Sequence, residues 1–396
     1  MADKKIVLAY SGGLDTTVAV PWLQDKYGAE IITLTIDLGM VDLESIRQRA
    51  LQVGAVKALT VDGKEALVDE FLFPALKAGA IYEEQYPLAT ALGRPLIARY
   101  LAEAAQSEGA FAVAHGCTGK GNDQVRIEVS IGALAPGLEV IAPIRDWGMS
   151  RQEEIEYAQA RNLPINPRNT KFSVDENLWG RSVEAGELED PWLEPPEEAY
   201  AWTSSVEQAA AEPAYVEIRF EQGLPTAVDG EQMRGAGLIG HLNTLGGNHG
   251  VGRIDHVENR LVGIKSREIY ESPAAVILHA AHKALEALTL SKDQARTKAR
   301  IAQEYADLVY DGLWFTAHRQ DLDAYVTSTQ RYVTGEVRLR LQKGTCTVVG
   351  RKAPNALYRY SLATYDKGDQ FDHSSAQGFI SIYGLPVRTQ NQAQPQ

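Results

Sequence analysis

Ser11-Gly12-Gly13-Leu14-Asp15-Thr16-Thr17 is the stretch whose reading decides the fold. It follows the apolar run KKIVLAY at 4–10, which predicts a buried strand, and leads into Val18-Ala19-Val20 and Trp22-Leu23, which predict a helix. Strand, glycine turn and helix in that order bring backbone N–H groups and a helix N-terminus together on a phosphate. Gly12 and Gly13 let the main chain approach an anion and take positive φ at little cost. Ser11, Thr16 and Thr17 add hydroxyl groups, and Asp15 suits either a magnesium ion or the cap of the helix. No Lys follows the last glycine, so this is not a Walker A loop, nor does it match G-x-G-x-x-G.

Outward from this turn, residues 1–165 alternate strand-like and helical patterns. Strands are expected at 4–10, 30–37, 56–61, 110–115 and 138–144. Pro21 is expected to kink the first helix or mark a restart. A helix at 42–54 carries Leu43, Ile46, Ala50 and Val53 on one stripe, with Asp42 as its cap. Further helices are expected at 71–79 and 95–105. The pattern predicts an α/β unit, a parallel twisted sheet with helices on both faces, with ligands at the C-terminal ends of the strands. The loops there start near Ser11, Asp37, Asp62, His115 and Pro143.

An α+β second domain is expected over 166–365, opening near Asn166-Pro167-Arg168, and a C-terminal arm over 366–396. Hairpins are expected at 215–220/226–228 and 337–341/345–349, and helices at 273–289 and 292–310. Residues 235–252 hold seven glycines and are expected to be irregular, with 246–252 shaping a flexible wall of the site. Past residue 365 the chain is polar except for Phe379-Ile380-Ser381-Ile382-Tyr383, and 389–396 is expected to be disordered.

Composition narrows the function. The chain carries 39 basic and 52 acidic residues, net −13, which disfavours nucleic acid. Cys117 and Cys346 are the only cysteines and form no C-x-x-C, so a disulfide framework or zinc ribbon is not expected. His279 and His282 stand three apart without H-E-x-x-H, and no metal site is expected among the histidines. No signal peptide is expected, and no apolar run reaches membrane-spanning length. A cytoplasmic protein is the expectation.

The second informative stretch is HGCTGKGNDQVR at 115–126. It leaves a strand, crosses a glycine-rich turn and starts a helix at Asn122 or Asp123. Asn122 and Arg126 fall one turn apart on the same face. An amide, a carboxylate, a guanidinium and a helix N-terminus together suit a zwitterionic amino acid. A helix cap with a local Asp/Arg pair is the plainer alternative.

SGGLDT resembles the PP-loop of the ATP pyrophosphatases, which split ATP between the α- and β-phosphates. Combined with HGCTGKGNDQVR it resembles the argininosuccinate synthases, and YPLATALGRP at 86–95, FSVDENLWGRS at 172–182, VENR at 257–260 and SREIYE at 266–271 agree. The resemblance runs in order from about residue 4 to 385. It departs at Ile127, where Phe is usual, at Met40 for Gln and at Glu268 for a common Gly.

The resemblance implies a Rossmann-like PP-loop fold and an ATP-dependent ligase joining citrulline to aspartate. Ala9, Tyr10, Ser11, Gly12, Gly13, Leu14, Asp15, Thr16 and Thr17 would cradle ATP, with Ile36 along the adenosine and Gly116 near the nucleotide. Thr118, Asn122 and Asp123 would bind aspartate. Tyr86, Thr90, Asn122, Arg126, Ser173, Ser182, Glu258 and Tyr270 would bind citrulline. Ser11, Asp15, Asp123 and Arg126 would stand closest to the chemistry, with magnesium carried in on the nucleotide. A homotetramer with the C-terminal segment reaching across subunits is also implied. Taken singly, Ser173 and Ser182 also suit turns, Tyr86 and Tyr270 a half-buried core, and Glu258 a solvated charge. Other PP-loop enzymes (a tRNA thiolase, lysidine synthase, GMP synthetase, NAD synthetase) and a nucleotide sensor without chemistry are the alternatives. The thiolase wants paired reactive cysteines, the tRNA enzymes a basic face and GMP synthetase a glutaminase.

Overall fold

The structure, a computed structural model, describes residues 4–39, 42–165 and 171–395. Met40 and the expected boundary at Asn166-Pro167-Arg168 lie outside the described residues. The N-terminal part runs β1 (Lys5–Ala9), α1 (Leu14–Tyr27), β2 (Glu30–Asp37), α2 (Leu43–Gln52), β3 (Lys57–Asp62) and α3 (Ala89–Glu108). It continues through β4 (Ala112–Ala114), α4 (Asn122–Leu134), β5 (Glu139–Ile141) and α5 (Arg151–Ala160). Its five strands pair in parallel in the order β3-β2-β1-β4-β5. Ile6, Val7 and Leu8 of β1 are fully buried because both faces of the sheet are covered. Ile6 and Leu8 pack with Ala19, Val20 and Leu23 of α1, while Val7 packs with Ala98 and Leu101 of α3 and Ile131 of α4.

Strand order reverses between β1 and β4, so their following turns open a crevice at the C-terminal edge. The turn after β4 meets the first turn of α1 there: a Cβ on Gly116 would lie 2.9 Å from Thr16 Cγ2. Asp42 caps α2 by accepting from the Ser45 N–H, as its spacing predicts. Pro21 is buried inside α1, which runs through it without a restart.

The remainder contains β6 (Ser173–Asn177), β7 (Gly180–Glu184), β8 (Ala214–Glu221), β9 (Leu224–Val228), β10 (Glu231–Gln232) and α6 (Gly235–Asn248). Then come β11 (Arg253–Asn259), β12 (Lys265–Glu271), α7 (Pro273–Thr289), α8 (Lys292–Tyr310), α9 (Ala317–Thr329), β13 (Gly335–Gln342) and β14 (Thr345–Lys352). Antiparallel pairing gives one sheet β11-β12-β7-β6 and another β10-β9-β8-β13-β14. The chain closes with α10 (His373–Tyr383) and α11 (Leu385–Ala393).

Two expectations fail here. Residues 235–248 are not irregular but form α6, with Leu238, Ile239 and Leu242 buried on one face. The glycines serve packing: a Cβ on Gly246 would sit 2.8 Å from Pro273 Cβ, and one on Gly247 2.1 Å from the Trp202 carbonyl oxygen. Hence the glycines at its end press against neighbouring chain instead of forming a flexible wall. The Gln-rich end is likewise helical through Ala393. Gln, Arg, Leu and Ala all favour helix, and Pro386 occupies the first turn, where its missing N–H costs nothing.

The glycines of α6 therefore divide into two kinds. Gly237 meets nothing within 4 Å, so Gly237→Ala should stabilise the fold by about 0.5–1 kcal/mol. Gly247→Ala should destabilise it. Urea unfolding of both variants checks this; equal effects would contradict the packing account.

Candidate active site

The turn after β1 is held by its own polar groups. Gly12 takes φ +76°, Gly13 precedes the first residue of α1, and its N–H donates to Ser11 Oγ at 3.3 Å. Ser11 and Thr16 hydroxyls lie 3.2 Å apart, as do those of Tyr10 and Thr17. Arg49 of α2 donates to the Gly12 carbonyl at 2.6 Å, so this nearby cation is spent on the loop's main chain. Asp15 lies inside the first turn of α1 and is not its cap; Gly13 holds that position. Beside Asp15 stands Glu154 of α5, a buried carboxyl. Burial, and then the Asp15 charge, pushes the Glu154 carboxyl up to about 8. Nothing in the sequence marked Glu154, which reads as one more acid on an amphipathic helix. Ala9 and Ile36 end their strands half-buried at the same edge, and the Thr35 hydroxyl donates to the Tyr10 carbonyl at 2.8 Å.

The turn after β4 leads into α4 at Asn122, as the spacing predicts. The Cys117 N–H donates to His115 Nδ1 at 3.2 Å, leaving Nε2 to meet Glu128, also at 3.2 Å. Burial and the Asp123 charge push the Cys117 thiol up to about 12, which leaves it without thiolate character at neutral pH. Thr118 is exposed on the turn.

Asp123 is gripped from both sides. Its Oδ1 accepts from Arg126 Nη1 at 2.9 Å and its Oδ2 from Arg94 Nη2 at 2.7 Å. Arg94 also pairs with Asp175 of β6. Burial alone would raise the Asp123 carboxyl; the Arg94 and Arg126 charges more than reverse that and hold it below the usual carboxylate range. Arg126 is almost fully buried, and its Nη2 has no partner among the described residues. An unpaired guanidinium N–H so deeply buried is uncommon and is free to donate to a ligand.

Asn122 Oδ1 accepts from the Leu261 N–H at 3.0 Å, and its Nδ2 donates to the Tyr310 hydroxyl at 2.8 Å. Glu258 is 1 % exposed, which rules out a solvated charge. It accepts from the Tyr270 and Tyr310 hydroxyls, each at 2.6 Å. Tyr86 and Tyr270 are fully buried rather than half-buried and stack at 4.2 Å between centroids. The Tyr86 hydroxyl lies 2.7 Å from that of Thr90. Ser182 is buried opposite Tyr270 on β7 and reaches the Asp175 carbonyl at 3.4 Å. Ser173 is exposed at the start of β6. Arg94 and Tyr310 were missed by the sequence reading, although Arg94 lies inside the quoted stretch YPLATALGRP. Glu268 is drawn into the same buried set, where burial and then Glu258 push its carboxyl up to about 8 against the ion pair with Arg260.

Comparison with known proteins shows what the chain is similar to. Residues 5–164 match the arginosuccinate synthase N-terminal HUP domain, and residues 172–390 the arginosuccinate synthase C-terminal domain. The argininosuccinate synthase of Dehalococcoides mccartyi is 58 % identical over 99 % of this chain and 97 % of that protein. Those of Gloeobacter violaceus and Symbiobacterium thermophilum are 56 % and 55 % identical, each over 98 % of both chains.

The Asp15–Glu154 pair generates a pH signature. Glu154 keeps its proton in the folded state up to about 8, whereas the unfolded side chain loses it near the ordinary value of 4.5. The folded state thus binds more protons in that window, and stability falls as pH rises through it. Glu154→Gln keeps the neutral form at every pH. Its melting temperature relative to the parent should therefore rise between pH 5 and pH 9; a constant difference would contradict the pairing.

Proposed function

The chain belongs to the argininosuccinate synthase family, and on that premise we propose how its residues divide the reaction. The reaction condenses L-citrulline with L-aspartate at the expense of ATP and releases AMP and pyrophosphate. The ureido oxygen of citrulline attacks the α-phosphorus, and pyrophosphate departs. The amine of aspartate then displaces AMP from the citrullyl-adenylate. The ureido carbon is a poor electrophile, and adenylation supplies the leaving group it lacks. Identity over nearly the full length does not favour another adenylating ligase or a silent sensor.

The observation that supports this reading is the close approach of Gly116 to Thr16 at the strand-order reversal, where the two stretches assigned to phosphate and to amino acid meet. In this reading the Gly12 and Gly13 N–H groups, the start of α1 and the Ser11 and Thr16 hydroxyls receive the charge of departing pyrophosphate. Tyr10, Leu14 and Thr17 hold the turn, with Ala9, Ile36 and Gly116 against the nucleoside side. Among the described residues no group of three or more His, Cys, Asp or Glu could hold a metal ion. A magnesium ion would thus take most of its ligands from phosphate oxygens, with Asp15 the loop's carboxylate beside it, and would screen the pyrophosphate charge. Thr118, Asn122 and Asp123 take aspartate. Tyr86, Thr90, Asn122, Arg126, Ser173, Ser182, Glu258 and Tyr270 take citrulline, and the unpaired Arg126 Nη2 suits its carboxylate.

The reading extends to the whole molecule. Residues 1–165 serve as the nucleotide unit, 166–365 as the synthetase unit and 366–396 as an arm. Phe379, Ile382, Tyr383 and Leu385 are exposed on α10 and α11, which supports a homotetramer in which these helices cross between subunits. No helix among the described residues is long and apolar enough to cross a membrane, and the proposed place of work is the cytoplasm.

Positional isotope exchange in ATP, with citrulline present and aspartate absent, isolates the first half-reaction. The parent enzyme should scramble label. Asp123→Asn should keep scrambling while apparent aspartate affinity falls roughly ten- to a hundredfold, the cost of about 1.5–3 kcal/mol for a charge-assisted contact. Arg126→Ala should lose both activities. If folded Asp123→Asn fails to scramble, its assignment to aspartate is wrong.

A further inference from the structure

Tyr310, the last residue of α8, is the point at which three of the residues proposed for citrulline meet. Its hydroxyl accepts from Asn122 Nδ2 at 2.8 Å and donates to Glu258 Oε1 at 2.6 Å. Its carbonyl oxygen accepts from Arg126 Nε at 2.8 Å, and the Arg126 guanidinium lies 4.7 Å from its ring centroid. The ring itself is clamped, stacked on Tyr82 at 3.6 Å with 7° between planes and edge-on to Tyr86 at 6.4 Å.

The direction of every hydrogen bond in this chain is forced. The Leu261 N–H can only donate, so the side chain of Asn122 turns its oxygen there and its NH₂ toward Tyr310. The Tyr310 hydroxyl, having accepted, points its one proton at Glu258, whose second oxygen is filled by Tyr270. An amide and a carboxylate that Leu261 and Tyr270 each hold at one atom are thus held at a second and locked in one orientation. The lock joins the first turn of α4 to β11 and β12 through a residue of α8.

We propose that Tyr310 is a positioning residue for citrulline. It sets the faces that Asn122 and Glu258 turn toward that substrate and fixes the Arg126 side chain through its carbonyl group. The proposal rests on the assignment of Asn122, Arg126 and Glu258 to citrulline. A citrulline site built this way is preorganised before the substrate arrives, so the cost of ordering three polar side chains does not fall on binding.

Tyr310→Phe isolates the hydroxyl, since it keeps the stacked ring and the carbonyl bond to Arg126. It should raise the KM for citrulline about tenfold, with kcat and the KM for ATP within about twofold, because an orientation of ground-state contacts is lost. Tyr305→Phe is the structural control: it removes another buried hydroxyl of α8, bonded to Asp323 at 2.8 Å, and should lower the melting temperature without moving citrulline KM. Glu258→Gln tests the underlying site. If Tyr310→Phe leaves citrulline KM unchanged while Glu258→Gln raises it, the proposal for Tyr310 is overturned and the citrulline site stands. If neither variant moves it, the site assignment itself fails and the proposal with it. Placing 3-fluorotyrosine at 310 keeps every bond and does not depend on the Phe variant folding. Its ¹⁹F resonance should shift on addition of citrulline but not of ATP, and an unmoved signal would overturn the proposal.

Discussion

The position of β1 in the middle of the parallel sheet is the constraint on which the rest depends. With β2 on one side and β4 on the other, the turns leaving β1 and β4 emerge side by side. Gly116 has no room for a Cβ beside Thr16, so the turn after β4 is in contact with the start of α1 rather than merely near it. In the proposed reading, this contact sets the phosphate cradle beside the amino-acid site. Most of the catalytic advantage of such a site is orientation.

The charges of the site follow from that closeness. The chain is acidic overall, net −13, yet it must hold ATP and an acidic amino acid. At the turn after β1 the nearby cation, Arg49, donates to the Gly12 carbonyl, so in the proposed reading backbone dipoles face the phosphates. Across the crevice each of two carboxyl groups has its own partners: Asp123 lies between two guanidinium groups, and Glu258 accepts from two tyrosine hydroxyls. Buried carboxylates are tolerated only with such partners. The partners in turn fix where the carboxylates point.

What the sequence revealed and what it hid have a common cause. Local signals were legible: the glycine turns, the start of α4 at Asn122, the Asp42 cap and the hairpin around Lys343-Gly344 all express backbone preferences of a few adjacent residues. Residues 235–248 misled because glycine is a poor helix former, and only the close approach of Trp202 and Pro273 makes it the residue that fits. The tail misled in the opposite sense, since polarity was read as disorder although Gln and Arg are good helix formers. Glu154, Arg94 and Tyr310 were invisible for a different reason. Each acts across more than a hundred residues, or across two elements, and no local pattern records that Tyr310 faces Asn122.

The claim on which the whole account rests is that the ureido oxygen of citrulline becomes the bridge to AMP. Turnover with citrulline labelled by ¹⁸O in its ureido group, read by mass spectrometry of the nucleotide product, tests it in one step. The account predicts one ¹⁸O in the phosphate of AMP and none in pyrophosphate. Unlabelled AMP, or ADP and orthophosphate as the primary products, would contradict it.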